Sequence, residues 1–242
     1  MNLSRVFADA YALWRQDRDL WLRIAGFFFF MPSLALYWFV PLPELKEGDP
    51  EAAQKLVAAW FESNAIGLLC FVLIITFGYG VVLTLVLDRE RPVLASAITR
   101  TLRLLPGLAL ASFVTGTLVG LGLLAFIVPG LYIAGRTFMT LPALVAEPRR
   151  GPFGALLAAI QQSHRRGWML VAVTVSVFFA VQLLGGVVAG VANAAGVPAN
   201  GGGPLGFVCD ALMAVVASSG ALAQAFLQAA AYRALGGARQ GI

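Results

Sequence analysis

Six stretches of this 242-residue chain are apolar for long enough to cross a lipid bilayer, and no other property limits its fold so severely. An α-helix rises about 1.5 Å per residue, so roughly 20 apolar residues traverse a hydrocarbon core about 30 Å thick. The stretches lie at about residues 20–40, 65–87, 107–128, 131–146, 168–191 and 205–230. Pro32 predicts a kink in the first. Pro129-Gly130 predicts a tight reversal after the third. The fourth is short and must stand nearly upright or thin the bilayer locally. Residues 193–204, rich in Gly and Asn, predict a flexible connection between the last two.

Composition agrees. Hydrophobic residues make up 60 % of the chain, against roughly 45–50 % in soluble proteins. Only 12 % are charged, and the mean hydropathy is +0.83. An ordinary water-soluble domain is excluded; the expected fold class is an all-α polytopic membrane protein. About eighteen residues of mixed polarity precede the first stretch, which runs on through Tyr37-Trp38-Phe39-Val40, so a retained span is expected rather than a cleaved leader.

The formal charge of +5 invites a nucleic-acid reading, but its distribution opposes one. Of 17 basic residues, 15 are Arg, and nearly all flank apolar runs. With both termini cytoplasmic, the inner segments hold Arg5, Arg15, Arg18, Arg23, Arg89, Arg91, Arg100, Arg103, Arg149, Arg150, Arg165, Arg166, Arg233 and Arg239, opposed by Asp9, Asp17, Asp19, Asp88, Glu90 and Glu147. The first outer loop has Glu44, Glu47, Asp49, Glu51 and Glu62 against Lys46 and Lys55. Positive residues resist translocation, so this asymmetry predicts N-in, C-in topology. Trp21, Trp168 and Tyr232 fall at inner ends as interfacial anchors, with Tyr37 and Trp38 at an outer one. The preference for Arg over Lys, with abundant Ala and Gly, suggests a high-GC bacterial gene and an inner-membrane location.

A repeated pattern precedes spans one, three and five. Leu3, Val6, Phe7, Ala10 and Trp14 share one helical face; Leu94, Ala97, Ile98, Thr101 and Leu105 repeat those intervals, as do Phe153, Leu156, Leu157, Ile160 and His164. The chain therefore reads as one integral membrane domain of three units, at about residues 1–88, 89–147 and 148–242, each an amphipathic helix followed by a hairpin. Two readings of the amphipathic helices stay open. Either they lie in the headgroup layer with arginines near anionic phosphates, or their apolar faces pack against the span ends. On the outer side, Asp49-Pro50-Glu51 resembles a helix cap, placing Leu56, Trp60 and Phe61 on that interface.

Apolar burial does not drive helix association in lipid, so small residues are expected at contacts. Gly116/Gly120 and Gly186/Gly190 match G-x-x-x-G, and Ala214, Ser218, Ala221, Ala225 and Ala229 form a small stripe. Two ionisable residues lie within apolar runs, Arg136 and Asp210. Counted from outer boundaries near Leu131 and Leu205, each is five residues deep, roughly 7–8 Å. An unpaired charge at mid-membrane costs about 2.5–3.5 kcal/mol, so the two are expected to pair between spans four and six. Arg23 is close enough to the inner interface to snorkel.

Catalytic ingredients are sparse. His164 is the only histidine and has Arg165 and Arg166 beside it, without a nearby carboxylate to orient it. Cys70 and Cys209 sit in separate apolar runs and read as buried small hydrophobes. Gly201-Gly202-Gly203 lacks the G-K-[ST] ending of a phosphate loop. Asp88-Arg89-Glu90-Arg91 reads as a solvated mixed-charge loop. No catalytic residue, metal or cofactor is expected.

The segment Pro129-Gly130-Leu131-Tyr132-Ile133-Ala134-Gly135-Arg136, then Pro142 and Glu147, followed by the amphipathic stretch from Phe153 to Trp168, resembles the glycerophosphoryl diester phosphodiesterase membrane-domain family and related bacterial inner-membrane proteins. Tyr232-Arg233 resembles their ending. The resemblance implies a six-helix membrane module, joined in some relatives to a soluble phosphodiesterase domain. The six spans consume this chain, so that activity is not carried over. Pro129, Gly130, Arg136, Pro142 and Glu147 carry over as a motif without assigned role; Arg136 and Glu147, about 16 Å apart along one helix, each need a partner elsewhere.

These readings lead to a non-enzymatic membrane module that engages anionic lipid headgroups at its cytoplasmic face or a membrane protein partner. A small transporter built on an Arg136–Asp210 couple is the alternative, and a membrane-embedded lipid enzyme the third.

Overall fold

A computed structural model describes residues 3–40, 43, 50–88, 93–164, 166–197 and 203–235. Glu44, Lys46, Glu47, Asp49, Arg89, Glu90, Arg91, Arg165, Gly201, Gly202 and Arg239 lie outside this set. All regular structure among the described residues is helical: α1 (Leu3–Gln16), α2 (Arg18–Ala25), α3 (Met31–Phe39), α4 (Pro50–Leu87), α5 (Leu94–Ala125), α6 (Ile127–Thr137), α7 (Thr140–Ala146), α8 (Gly151–Gln162), α9 (Gly167–Ala194) and α10 (Gly203–Ala234). A π-turn over Gly26–Phe30 joins α2 to α3, and a short 3-10 turn over Pro148–Arg150 precedes α8. Six of these helical segments are long and apolar enough to cross a membrane, the α2–α3 and α6–α7 pairs counting as one each.

The first span shows how an irregularity arises from sequence. Pro32 has no N–H to offer the carbonyl one turn earlier. The ladder loosens before it, and the Met31 N–H reaches back five residues to the Gly26 carbonyl. This π-turn carries Phe29 into full burial, where its ring meets Tyr79 at 5.4 Å. Gly78 leaves room for that contact, since a Cβ there would lie 2.7 Å from the Cβ of Phe28 and 2.9 Å from the Phe29 ring. At the start of the same span, Asp17 ends α1 and caps α2 by accepting from the Leu20 N–H at 3.4 Å. Trp21 then donates its indole N–H to the Leu13 carbonyl at 3.0 Å and sets its ring edge-to-face with Phe226 of α10, 5.0 Å away. One side chain thus fastens α1, α2 and α10 together.

Two expected boundaries move. The amphipathic segment before span three and the span itself form a single 32-residue helix through Pro106. Segment and span also merge on α4, whose 38 residues extend about 57 Å. The reversal predicted at Pro129-Gly130 occurs instead at Phe126, which is extended at φ −163°, ψ 150°. Pro129 falls in the first turn of α6, where a missing N–H is harmless. Gly130 is needed for proximity: a Cβ on Gly122 of α5 would stand 2.8 Å from the Gly130 Cα. The span breaks again at Phe138-Met139, because Pro142 has no N–H for the Phe138 carbonyl one turn back.

The amphipathic faces turn differently in the three places. In α1, Val6, Ala10 and Leu13 are buried and α10 packs alongside, while Phe7 and Tyr11 are exposed. In α5, Ala97 and Thr101 are fully buried, and the Thr101 hydroxyl shares a 3.2 Å hydrogen bond with Thr84 of α4. In α8 the buried face consists of Ala155, Ala158 and Ala159, and the larger Phe153 and Leu157 point away from the core. Close packing against α7 and α5 favours the small side chains there.

The core is lopsided. It collects Val81–Val86 of α4, Leu108 and Ala111 of α5, most of α7, Leu170 and Val173 of α9, and the last three turns of α10. Beyond Ala111 in α5 and Val173 in α9, no large apolar side chain is buried, and most are exposed. Of the small-residue motifs, the α10 stripe faces inward, with Ala214, Ala225 and Ala229 inaccessible. The two G-x-x-x-G pairs do not: nothing lies within 4 Å of a Cβ built on Gly116, Gly120, Gly186 or Gly190. The close approaches are at Gly122–Gly130, at Gly135, whose Cβ would meet the Val171 backbone nitrogen at 2.7 Å, and at Gly80 beside Leu108.

Gly130→Ala and Gly135→Ala should therefore each destabilise the detergent-solubilised protein by about 1–3 kcal/mol through overpacking, read as a lower thermal midpoint. Gly116→Ala and Gly120→Ala should leave it unchanged or raise it, since Ala loses less freedom on entering a helix. A midpoint that falls at Gly116 and not at Gly130 would contradict this packing.

Candidate functional site

The packing of α9 on α10 fixes where each sequence-predicted residue stands. Gly185 lies against Met213 and Gly220 against Val181, which sets the two helices antiparallel. The Gly167 end of α9 is thereby level with the Arg233 end of α10, and Asp210 lies about 23 residues further along, roughly 35 Å away. Arg136 is at the Gly167 end. Its Cδ would be 3.2 Å from a Cβ placed on Gly167, and its guanidinium sits over the Tyr132 ring, 5.8 Å from the centroid. Asp210 is at the opposite end, within electrostatic reach of Tyr37, in the same region where Trp38 packs on Phe207 at 5.4 Å.

The expected Arg136–Asp210 pair is therefore not formed. The depth count began at Leu131, whereas the hairpin turns at Phe126 and α6 begins at Ile127. Arg136 consequently belongs to the far end of its helix. Its guanidinium lies over the Tyr132 ring instead, and no carboxylate pairs with it among the described residues.

Arginines gather at this end. Arg5, Arg18, Arg23, Arg103, Arg149 and Arg166 have no ion pair among the described residues. Arg100 is bound to Asp88, and Arg233 donates to the Val86 carbonyl, joining α10 to α4. Glu147 and Arg150 pair at 2.5 Å across one turn. Both are partly exposed, so the pair contributes at most about 1 kcal/mol. Of the motif residues, Gly130 and Pro142 are buried, Pro129 is exposed, and Arg136 and Glu147 are half-buried and do not pair with each other. The structure does join two ends of the sequence pattern: the buried Tyr232 hydroxyl feels the Glu147 carboxylate, although no hydrogen bond of normal geometry forms. Gln162 and Gln228 also bury a carbonyl oxygen without a partner.

Two shallow grooves open here. One, of about 580 Å³, is lined by Asp88, Ser96, Thr99, Arg100, Arg103, Leu104 and Pro148. The other, of about 460 Å³, is lined by Gln161, Gln162, His164, Arg166, Ala234 and Leu235. His164 is exposed beside Arg166 and contacts no carboxylate. Among the described residues no three His, Cys, Asp or Glu side chains converge as a metal-binding group. The cysteines correct their expected burial: Cys209 is partly exposed and Cys70 exposed, because the α4 face carrying Cys70 points out of the bundle.

Sequence reasoning placed Trp168 as an anchor but missed its neighbours. Tyr132 stands four residues before Arg136, the spacing of stacked neighbours on a helix, and its ring meets Trp168 at 5.5 Å. Ser163, at the end of α8, donates its hydroxyl to the Arg136 carbonyl at 3.3 Å. The first of these was legible as an i, i+4 pair; the second depends on the fold. No family model, curated protein sequence or solved structure matches this chain.

The separation of Arg136 from Asp210 has a direct test. Exchanging the charges in Arg136→Asp/Asp210→Arg should rescue nothing, with a coupling energy in the double-mutant cycle near zero, within about 0.5 kcal/mol. Expression level and thermal midpoint of the four variants give the cycle; recovery in the double variant would restore the pair.

Proposed function

We propose that the chain is a non-enzymatic module of a bacterial inner membrane, with both termini cytoplasmic, and that its basic end engages anionic lipid headgroups. One observation carries this reading. The end of the bundle that gathers the unpaired arginines also exposes large apolar side chains, Tyr11 at 58 %, Phe153 at 64 %, Leu157 at 56 % and Trp168 at 66 %. Cationic groups beside projecting aromatic and aliphatic ones suit a headgroup layer, where the charges meet phosphates and the apolar groups enter the acyl boundary. α1 and α8 supply most of these side chains, so lipid contact and packing against the bundle operate together, on different faces of one helix.

The opposite end has Glu51, Glu62 and Lys55 in the described part of its segments, in keeping with the exclusion of arginine from translocated loops. The transporter alternative drew on an Arg136–Asp210 couple as well as on glycine-rich spans, and the distance between the two residues withdraws support from the first of these. A membrane protein partner stays within the proposal, docking on the same basic end.

Lipid analysis after gentle extraction tests the reading. Protein purified from membranes should retain phosphatidylglycerol or cardiolipin at least three-fold over its bulk proportion, and engineered cysteines at the exposed positions 95 and 161 should react with membrane-impermeant maleimide only from the cytoplasmic side. Retention matching the bulk, or labelling from outside, would refute it.

A further inference from the structure

We infer that Arg136, Tyr132 and Trp168 form a discrete binding site for the phosphate of an anionic glycerophospholipid, at the point where α6 meets the start of α9. The inference rests on the lipid-engaging reading above and gives it a location. Four observations support it.

The first is that the Arg136 guanidinium is held in place without being used. Its stem lies over Gly167, where an added Cβ would press on its Cδ at 3.2 Å, and its charged group rests on the Tyr132 ring. Its backbone carbonyl accepts from the buried Ser163 hydroxyl. Yet no carboxylate pairs with the fork among the described residues. A planar fork of five donors fixed in this way suits two oxygens of a phosphate better than any other common anion of a membrane surface.

The second is the company it has. Arg166 directly precedes the Gly167 over which the Arg136 stem lies, is half-buried beside the neighbouring groove and has no ion pair among the described residues. α9 begins there with no side-chain cap, so the N–H groups of its first turn add to an anion-favouring field. The third is the aromatic wall. Tyr132 and Trp168 meet at 5.5 Å, with Trp168 two-thirds exposed, the usual arrangement of amphipathic rings at headgroup depth.

The fourth decides for a lipid over a free phosphate. From Trp168 an exposed stripe runs up α9 through Ala172, Phe179 and Leu183, all on one face at helical spacing. A ligand whose phosphate is gripped at Arg136 has an apolar track for its acyl chain leading away from that grip. Arg103, by contrast, lies in an open polar groove next to the Asp88–Arg100 pair, and its charge is diluted there.

Native mass spectrometry of the full-length protein, released from detergent micelles with phosphatidylglycerol or phosphatidylcholine added, tests the site. The wild type should retain one phosphatidylglycerol in preference to phosphatidylcholine. Arg136→Gln should lower that occupancy at least three-fold, Arg136→Lys should lower it less, and Lys55→Gln, which removes an exposed cation at the opposite end, should leave it unchanged. Gly167→Val keeps the charge but displaces the arginine stem, and should match Arg136→Gln. Thermal midpoints within a few degrees of wild type certify that Arg136→Gln is folded; Tyr132→Leu provides an independent variant with the same expected loss. Glycerol 3-phosphate at millimolar concentration should not displace the lipid. Displacement would overturn the lipid assignment in favour of a soluble phosphate ester. Undiminished occupancy in Arg136→Gln and Gly167→Val would overturn the site while leaving general enrichment of anionic lipid intact; absence of enrichment in the wild type would remove the broader reading as well.

Discussion

Every structural feature of this chain follows from the need to satisfy backbone hydrogen bonds where side chains offer almost none. With 60 % hydrophobic residues, long segments must close their N–H and C=O groups internally, and in hydrocarbon the helix does this within a single segment. The exceptions occur where covalent chemistry removes a donor. Pro32 is preceded by a π-turn and Pro142 by a break, while Pro129 is absorbed in a first turn that lacks donors' partners anyway. Hydroxyls follow the same rule: Thr115, Thr174 and Ser176 each return a bond to a carbonyl four residues earlier, leaving no polar hydrogen facing outward.

Once formed, the helices meet through absence of side chain rather than through apolar attraction. Gly78, Gly80, Gly122, Gly130, Gly135 and Gly220 each stand where a methyl group would strike a neighbouring helix. Dispersion then operates at close range, which is the attraction available between rods whose surfaces are no more apolar than their solvent. The buried hydrogen bonds between elements are few, and they cluster at one end. Trp21 to Leu13, Thr84 with Thr101, and Arg233 to Val86 connect α1, α2, α4, α5 and α10 at the same level as the lopsided core.

Much of the architecture was legible because length and hydropathy are coarse, cumulative signals. Six spans were visible, as were the Pro32 irregularity and the inward stripe on α10. Boundaries were less so. Nothing local distinguishes Phe126 from Pro129-Gly130 as the turning point, which shifted the depth count for Arg136 by about 6 Å; that it meets the Gly167 end of α9, far from Asp210, is set by the packing of α6 on α9. The G-x-x-x-G pairs misled for a related reason: the motif reports what permits approach, while which helix approaches is a long-range fact. Which way the α8 face would turn was left open by the sequence: Phe153 and Leu157 point out of the bundle, and Ala155 and Ala159 fit against α7. At the site, Tyr132 beneath Arg136 was readable from spacing, whereas Gly167 and Ser163 became relevant only through the packing of α9 and α8 on α6.

The uneven core has a mechanical consequence. Where α4, α5, α7, α8, α9 and α10 share buried neighbours, a displaced helix must move several others, so that end behaves as a clamp. Further along, α5 and α9 keep mainly their hairpin partners, α6 and α10, and in a bilayer their exposed flanks would be free to follow changes in the thickness or lateral pressure of the surrounding leaflet. The molecule is accordingly stiff at its arginine-bearing base and compliant at its rim, like a brush bound at the handle.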